Sequence, residues 1–201
     1  MQRKSFTLLV ILIFSLWTIS CEKNTTTPTT TISSTSTSSS STTIPTSTGS
    51  IEIFFSPRGG CTDEVIKEIN NAMNYIDVAM YSFTSDPIAQ ALVNAKERGV
   101  KIRVLLDKQQ AGSSSSKAEF LANNGILVSL DTHSGYMHNK IAIIDGAVVI
   151  TGSFNWTESA EERNQENMVV ISDPWVVQVY KERFDYLWNY NSGGIITPFT
   201  N

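Results

Sequence analysis

The chain has 201 residues, 15 Lys/Arg against 19 Asp/Glu, a formal net charge of −4 and two cysteines. That length allows one domain of ordinary size plus extensions, and two cysteines exclude a disulfide framework or a cysteine-built zinc site. From residue 51 onward 12 basic residues face 18 acidic ones, so the remainder carries 12 − 18 = −6, a poor balance for non-specific binding of polyanions.

The first 50 residues are not domain material. Arg3 and Lys4 precede a run from Phe6 to Ile19 that is almost wholly apolar, followed by Ser20 and Cys21. A basic start, an apolar stretch of roughly 14 residues and a small residue form the pattern of a secretory signal over 1–20, short of the ~20 residues that span a membrane. Thr18-Ile19-Ser20-Cys21 resembles a prokaryotic lipobox, with Thr18 where Leu is usual; the resemblance implies lipid on Cys21 and a chain held outside the cytoplasm. Residues 24–50 are nearly all Thr and Ser, without charge, and lack the apolar surface to offset ordering entropy. A disordered tether over 21–50 is expected, with Asn24-Thr25-Thr26 a weak glycosylation sequon.

From 51 the pattern becomes globular. IEIFF (51–55) predicts a strand; Thr62 is placed to cap a helix carrying Val65, Ile66, Ile69, Ala72 and Met73 at helical spacing. Residues 76–83 predict a strand, Asp86-Pro87 a helix start with its stripe on Ile88, Ala91, Leu92 and Ala95, and 101–107 a central strand. A polar loop (108–116), a short helix (117–124), strands at 126–130 and 168–172, and a last helix opened by Asp173-Pro174 complete the series. Its expected buried face is Val177, Tyr180, Phe184 and Trp188. Strands alternating with helices predict an α/β domain over 51–201: a mixed, mainly parallel sheet flanked by helices on both faces. Phe83, Trp156, Trp175 and Trp188 are expected in the core or at an interface, and Cys61 as a small buried residue, not a nucleophile.

One segment breaks the pattern. HNKIAIIDGAVVITGSFN (138–155) is a mostly apolar hairpin around an Asp145-Gly146 turn. With a two-residue turn, facing residues sum to 291, which puts His138, Lys140, Thr151, Ser153 and Asn155 on one face at the open end, and Ile141, Ile143, Val148 and Ile150 on the other. A neutral imidazole is a nucleophile or base near pH 7 and a lysine neutralises an anionic oxygen. With two neutral donors the set suits attack on a phosphodiester. One histidine without carboxylates on the same face is too few ligands for a metal. Six residue types at fixed spacing (HxK, Asp, GSxN) arise by chance with probability on the order of 10⁻⁶ at average composition.

That pattern, His138-x-Lys140-x₄-Asp145-x₆-Gly152-Ser153-x-Asn155, resembles the HKD motif of the phospholipase D superfamily. FSPRGG (55–60), residues 79–107 and the GSFNWT…NQEN segment (152–167) resemble its small single-motif members, among them a bacterial secreted endonuclease and the mitochondrial cardiolipin hydrolases. The resemblance implies a phospholipase D-like fold and a cofactor-free, metal-free phosphodiesterase. In it His138 forms a phosphohistidine, Lys140, Ser153 and Asn155 bind phosphate oxygens, and Glu166 orients the histidine. A second motif histidine would protonate the leaving oxygen. His133, the other histidine, lies outside the pattern, so the resemblance implies a homodimer whose partner contributes a second His138. Asp145 belongs to the motif's catalytic set, yet a turn position points to a structural task. The implied substrates are phospholipids, favoured by the tether and the acidic domain, or nucleic acids, for which Arg58, Lys108 and Lys140 are candidates to line a basic cleft. A non-catalytic binding lipoprotein is the third reading.

Overall fold

The computed structural model describes residues 49–196. The signal segment, Cys21 and the Ser/Thr tether lie outside the described residues. Among those described, no helix is long and apolar enough to cross a membrane.

Eight strands form one sheet in the order β1-β7-β6-β5-β2-β3-β4-β8. They are β1 (Ile51–Phe55), β2 (Tyr75–Met80), β3 (Lys101–Leu106), β4 (Leu127–Leu130), β5 (Lys140–Ile144), β6 (Val148–Gly152), β7 (Asn167–Ile171) and β8 (Ile195–Ile196). The helices are α1 (Cys61–Asn71), α2 (Asp86–Glu97), α3 (Lys108–Ala111), α4 (Ala118–Asn123), α5 (Glu158–Glu162) and α6 (Pro174–Tyr190). The expected mixed α/β sheet with helices on both faces is present, but "mainly parallel" is corrected. Only β2–β3 and β3–β4 pair parallel, and the other five pairings are antiparallel. The parallel pairs are those joined by α2 and α4; the hairpin β5–β6 inserts beside β2 and turns the rest of the sheet antiparallel.

Side-chain alternation divides the core between the two faces. Val78, Val104, Val128, Ala142, Ile144, Ile150 and Val170 face α1, α2 and α4, which contribute Val65, Ile69, Ile88, Leu92 and Leu121. Ala79, Leu105, Ile141, Ile143 and Val149 face α6 and its Val177, Phe184, Leu187 and Trp188. Phe83, Trp156 and Trp188 are core residues, as expected, whereas Trp175 is exposed.

Local signals were displaced by a residue or two. Ser85 caps α2, its Oγ accepting from the Ile88 N–H, and Asp86 is the first helical residue. α1 begins at Cys61 after Gly60, and the Thr62 amide instead donates to Glu161 Oε2. Asp173 caps α6 as its sequence predicts. The loop after β3 contains the short α3, capped by Asp107 through the Gln109 and Gln110 amides.

Candidate active site

The hairpin register differs from the expected one. Ile144 pairs with Val148 and Ile141 with Thr151, so facing residues sum to 292. Asp145 and Gly146 are both left-handed (φ 54° and 66°), and the Ala147 N–H closes the turn on Ile144 O. The turn therefore fits the Asp-Gly signal, but Ala147 is left over before pairing starts. The one-residue slip moves Thr151 to the α6 face with Ile141, and puts Val148 and Ile150 on the face of Lys140.

A second irregularity restores the rest. β6 ends at Gly152 with φ 143°, where a Cβ would stand 2.3 Å from the carbonyl oxygen of Asn167. Only glycine fits that conformation and that approach. The Ser153 and Phe154 amides then both donate to Asn167 O, a bulge that buries Phe154 in the core and re-aims its neighbours. His138, Lys140, Gly152, Ser153, Asn155 and Glu166 consequently line one cleft of about 390 Å³ at the sheet end where β5 starts and β6 stops.

Each cleft side chain is held by identifiable partners. Asn155 Oδ1 accepts from the Ser82 N–H, which leaves its Nδ2 for an incoming oxygen. Ser153 Oγ donates to Glu166 Oε2 at 2.6 Å and accepts from the Asn167 N–H at 3.1 Å. Glu166 is fixed further by Asn164 Nδ2 on Oε1, and its own N–H donates to Ser56 Oγ. Lys140 is 7% exposed; its Nζ donates to His138 O at 3.0 Å and lies 4.8 Å from the centre of the Tyr81 ring. Burial lowers its pKa below the ordinary lysine value, partly offset by the nearby Glu166 carboxylate. His138 is exposed, its ring 4.4 Å from that of Tyr81. Its imidazole makes no hydrogen bond among the described residues, and Glu166 shares the cleft with it without bonding it.

Asp145 does not reach this cleft. It sits at the hairpin tip, the opposite end of β5, where its carboxylate accepts the N–H groups of Met73, Asn74 and Tyr75 at 2.7, 2.8 and 2.8 Å. Partial burial would raise its pKa, but those backbone bonds outweigh it and hold the carboxyl below its ordinary value. Its place in the catalytic set is corrected: it anchors the hairpin to the α1–β2 loop. Arg58 and Lys108 also stay outside the cleft. Arg58 pairs with Glu162 at 3.0 Å, and Lys108 Nζ donates to His133 O. His133 lines a separate pocket with Tyr136 and Arg183, its Nδ1 accepting from Gly135 N. Cys61 is fully buried, and burial with the Glu161 charge pushes its thiol up to about 11, so it stays a thiol.

Sequence reasoning missed three supporting residues. Tyr81, just past the end of β2, packs on His138 and accepts a hydrogen bond from Gln110 Nε2 of α3. Buried Asp107 takes the Met137 N–H on Oδ2 and so places the segment that carries His138. Ser56, after β1, ties the Glu166 backbone. All three follow C-terminal strand ends, the positions where α/β sheets gather functional groups, and that was the available signal.

An α/β sheet presenting an imidazole, a buried lysine, a serine, an amide and a carboxylate at one strand-end cleft defines a phosphodiester-cleaving class of enzyme. A family model described as "Cardiolipin synthase, PLD-like domain" matches residues 65–188. The chain belongs to this phospholipase D-like family. It is 39% identical over 138 residues to a phospholipase D of Rickettsia prowazekii (strain Madrid E), covering 69% of this chain and 67% of that one. It is 37% identical over 117 residues to a mitochondrial cardiolipin hydrolase of Xenopus tropicalis, covering 58% and 56%. Among solved structures, Nuc from Salmonella typhimurium, a phospholipase D family member, superposes with a TM-score of 0.68 at 36% identity, over 71% of this chain and 96% of that one. The protein is an enzyme of this superfamily, a hydrolase of phosphoric diester bonds.

Proposed function

We propose that the protein hydrolyses phospholipids by a metal-independent route through a phosphohistidine on His138. The single observation that carries this is the convergence of His138, Lys140, Ser153, Asn155 and Glu166 on one cleft despite the register slip. An imidazole nitrogen of His138 attacks phosphorus and the bond to the leaving oxygen breaks; an acid gives that oxygen its proton. Water then attacks the phosphohistidine, losing a proton to the same group, and frees the phosphoryl product. Lys140 and the Asn155 amide hold the non-bridging oxygens as charge builds on them, and Glu166, steadied by Ser153 and Asn164, stabilises the imidazole's charged form.

Among the described residues no second imidazole lines this cleft, and His133 lines a different pocket. The reading therefore includes a homodimer in which His138 of a second copy supplies the proton. It also includes export, with lipid on Cys21 and the 24–50 tether holding the domain on the extracytoplasmic side of a membrane. Phospholipid is the substrate within reach of such an anchor, and a domain of net −6 suits a lipid surface better than a polyanion.

A second reading, an anchored endonuclease, is supported by the single-motif architecture and the close superposition on Nuc. One assay separates them. Full chain and His138→Ala are incubated in excess EDTA with mixed phospholipid vesicles and, in the same buffer, with supercoiled plasmid. Head-group release that vanishes in the variant is the expected result. Plasmid nicking that vanishes while vesicles stay intact would install the nuclease reading. Wild-type inactivity on both would return the binding-lipoprotein reading.

A further inference from the structure

Strand β2 stops at Met80, which pairs with Lys140, and the next residue is Tyr81. The Tyr81 N–H donates to Asn139 O at 2.8 Å, so the backbone sets this tyrosine alongside His138, Asn139 and Lys140. Its ring then meets both reactive side chains. It lies 4.4 Å from the His138 imidazole, tilted by 59°, and 4.8 Å from Lys140 Nζ. The ring is held at two further points. Its hydroxyl accepts from Gln110 Nε2 at 3.2 Å, and Tyr136 stands edge-on to it at 6.0 Å. Gln110 belongs to α3, so the polar segment after β3 reaches the cleft through Tyr81.

Two properties of the cleft call for such a neighbour. A nucleophile has to be held in line with phosphorus, yet the His138 imidazole makes no hydrogen bond among the described residues, which leaves ring packing to orient it. Lys140 has to stay charged to hold a phosphate oxygen, yet it is 7% exposed and burial pulls its pKa down. The groups that face it are His138, the Tyr81 ring, Ser153, Asn155 and the Glu166 carboxylate, of which Glu166 favours the ammonium by its charge. An aromatic face within ~6 Å attracts a cation through its quadrupole, more strongly where the cation is desolvated. We infer that Tyr81 is a positioning residue for phosphoryl transfer, its one ring packing the His138 imidazole into the attacking orientation and holding Lys140 as the ammonium. The ring does this work and the hydroxyl anchors the ring to Gln110; Tyr81 itself exchanges no proton and forms no bond to the substrate. The inference rests on the nucleophilic His138 of the mechanism above and adds to it the group that aims that imidazole.

Two measurements on the full chain in detergent test it: an NMR titration of the Lys140 ammonium, and pH–rate profiles on bis(p-nitrophenyl) phosphate in excess EDTA. Tyr81→Phe keeps the ring and is expected to leave the Lys140 titration in place and kcat close to wild type. Tyr81→Leu is expected to lower the Lys140 pKa by about 0.5–1.5 pH units, the span of one cation–π contact. The alkaline limb of kcat should move down with it, and kcat should fall by about 10²-fold with little change in KM. Replacing Tyr81 by trifluorophenylalanine keeps the ring's shape and weakens its attraction for a cation. It is expected to reproduce the Lys140 shift with a smaller loss in kcat, and it decides the matter should Tyr81→Leu fail to fold. A Lys140 titration unmoved by the fluorinated ring would overturn the inference and leave His138 standing as the nucleophile. So would a loss of activity in Tyr81→Phe equal to that in Tyr81→Leu, which would assign the effect to the hydroxyl. Diester hydrolysis retained in His138→Ala would overturn the nucleophile reading and the positioning role together.

Discussion

The two ends of hairpin β5–β6 are built on opposite plans. At the tip, three backbone N–H groups hold the Asp145 carboxylate on the α1–β2 loop, away from the cleft. At the open end the exposed His138 imidazole makes no hydrogen bond among the described residues, and Lys140 is buried with its Nζ donating to the His138 carbonyl. One sequence motif thus contains two kinds of residue. Asp145 commits its charge to the scaffold; His138 keeps its imidazole free and Lys140 keeps its charge available, the lysine against a burial cost that lowers its pKa. Substitutions at the two ends should therefore fail in different assays.

The largest effect is expected from His138→Ala, which should lower phosphodiester hydrolysis by ~10⁴-fold or more and leave the melting temperature nearly unchanged. A comparable loss of stability would mean that the open end is scaffold too. Lys140→Met should cost roughly 10²–10³-fold in rate, the scale for removing one transition-state contact. Lys140→Arg sharpens the point through pH. The charged lysine is lost above a pKa that burial has lowered, so wild-type activity should decline on an alkaline limb beginning below the ordinary lysine value near 10.4. Arginine should push that limb out of range, and an unchanged limb would assign it to another group.

Asp145→Ala inverts the pattern. Activity per folded molecule should persist, while stability in denaturant titration falls by about 2–4 kcal/mol as three N–H groups lose a charged acceptor. The wild-type contribution has a definite sign in pH. The native carboxyl has a depressed pKa, so the stabilisation is present above the unfolded value near 3.9 and is lost as pH falls through the native one. Stability curves of wild type and variant should therefore converge below about pH 4; curves that stay parallel would sink the assignment. The smallest effect belongs to Arg58→Ala. Its ion pair with Glu162 is largely exposed, at 78 and 45%, and its loss should cost under ~1 kcal/mol. A large loss of plasmid nicking in that variant would revive Arg58 as part of a nucleic-acid cleft.

What the sequence disclosed follows a physical division. Periodicity located the seven longer strands and the main helices because burial drives those patterns. The motif named the cleft residues because chemistry restricts residue type. Register was another matter. The Asp145-Gly146 signal predicts a tight turn, which forms, but not that Ala147 stays in the turn, outside the strand register. Nor does it predict that a bulge after Gly152 returns Ser153 and Asn155 to the cleft. Both depend on hydrogen bonds to residues distant in sequence, the α1–β2 loop and Asn167. The antiparallel majority escaped for the same reason, since strand direction is set by which elements meet. Tyr81 and Asp107 act through contacts with His138 and Met137 that no local pattern encodes.

An imidazole nitrogen of His138 is the proposed acceptor of the phosphoryl group. The most direct measurement is rapid quenching of the working enzyme into alkali, where a phosphohistidine survives, followed by peptide mass mapping. A phosphoryl adduct on the peptide that contains His138, absent in His138→Ala, is the predicted result. An adduct on another residue, or hydrolysis retained in His138→Ala, would contradict it.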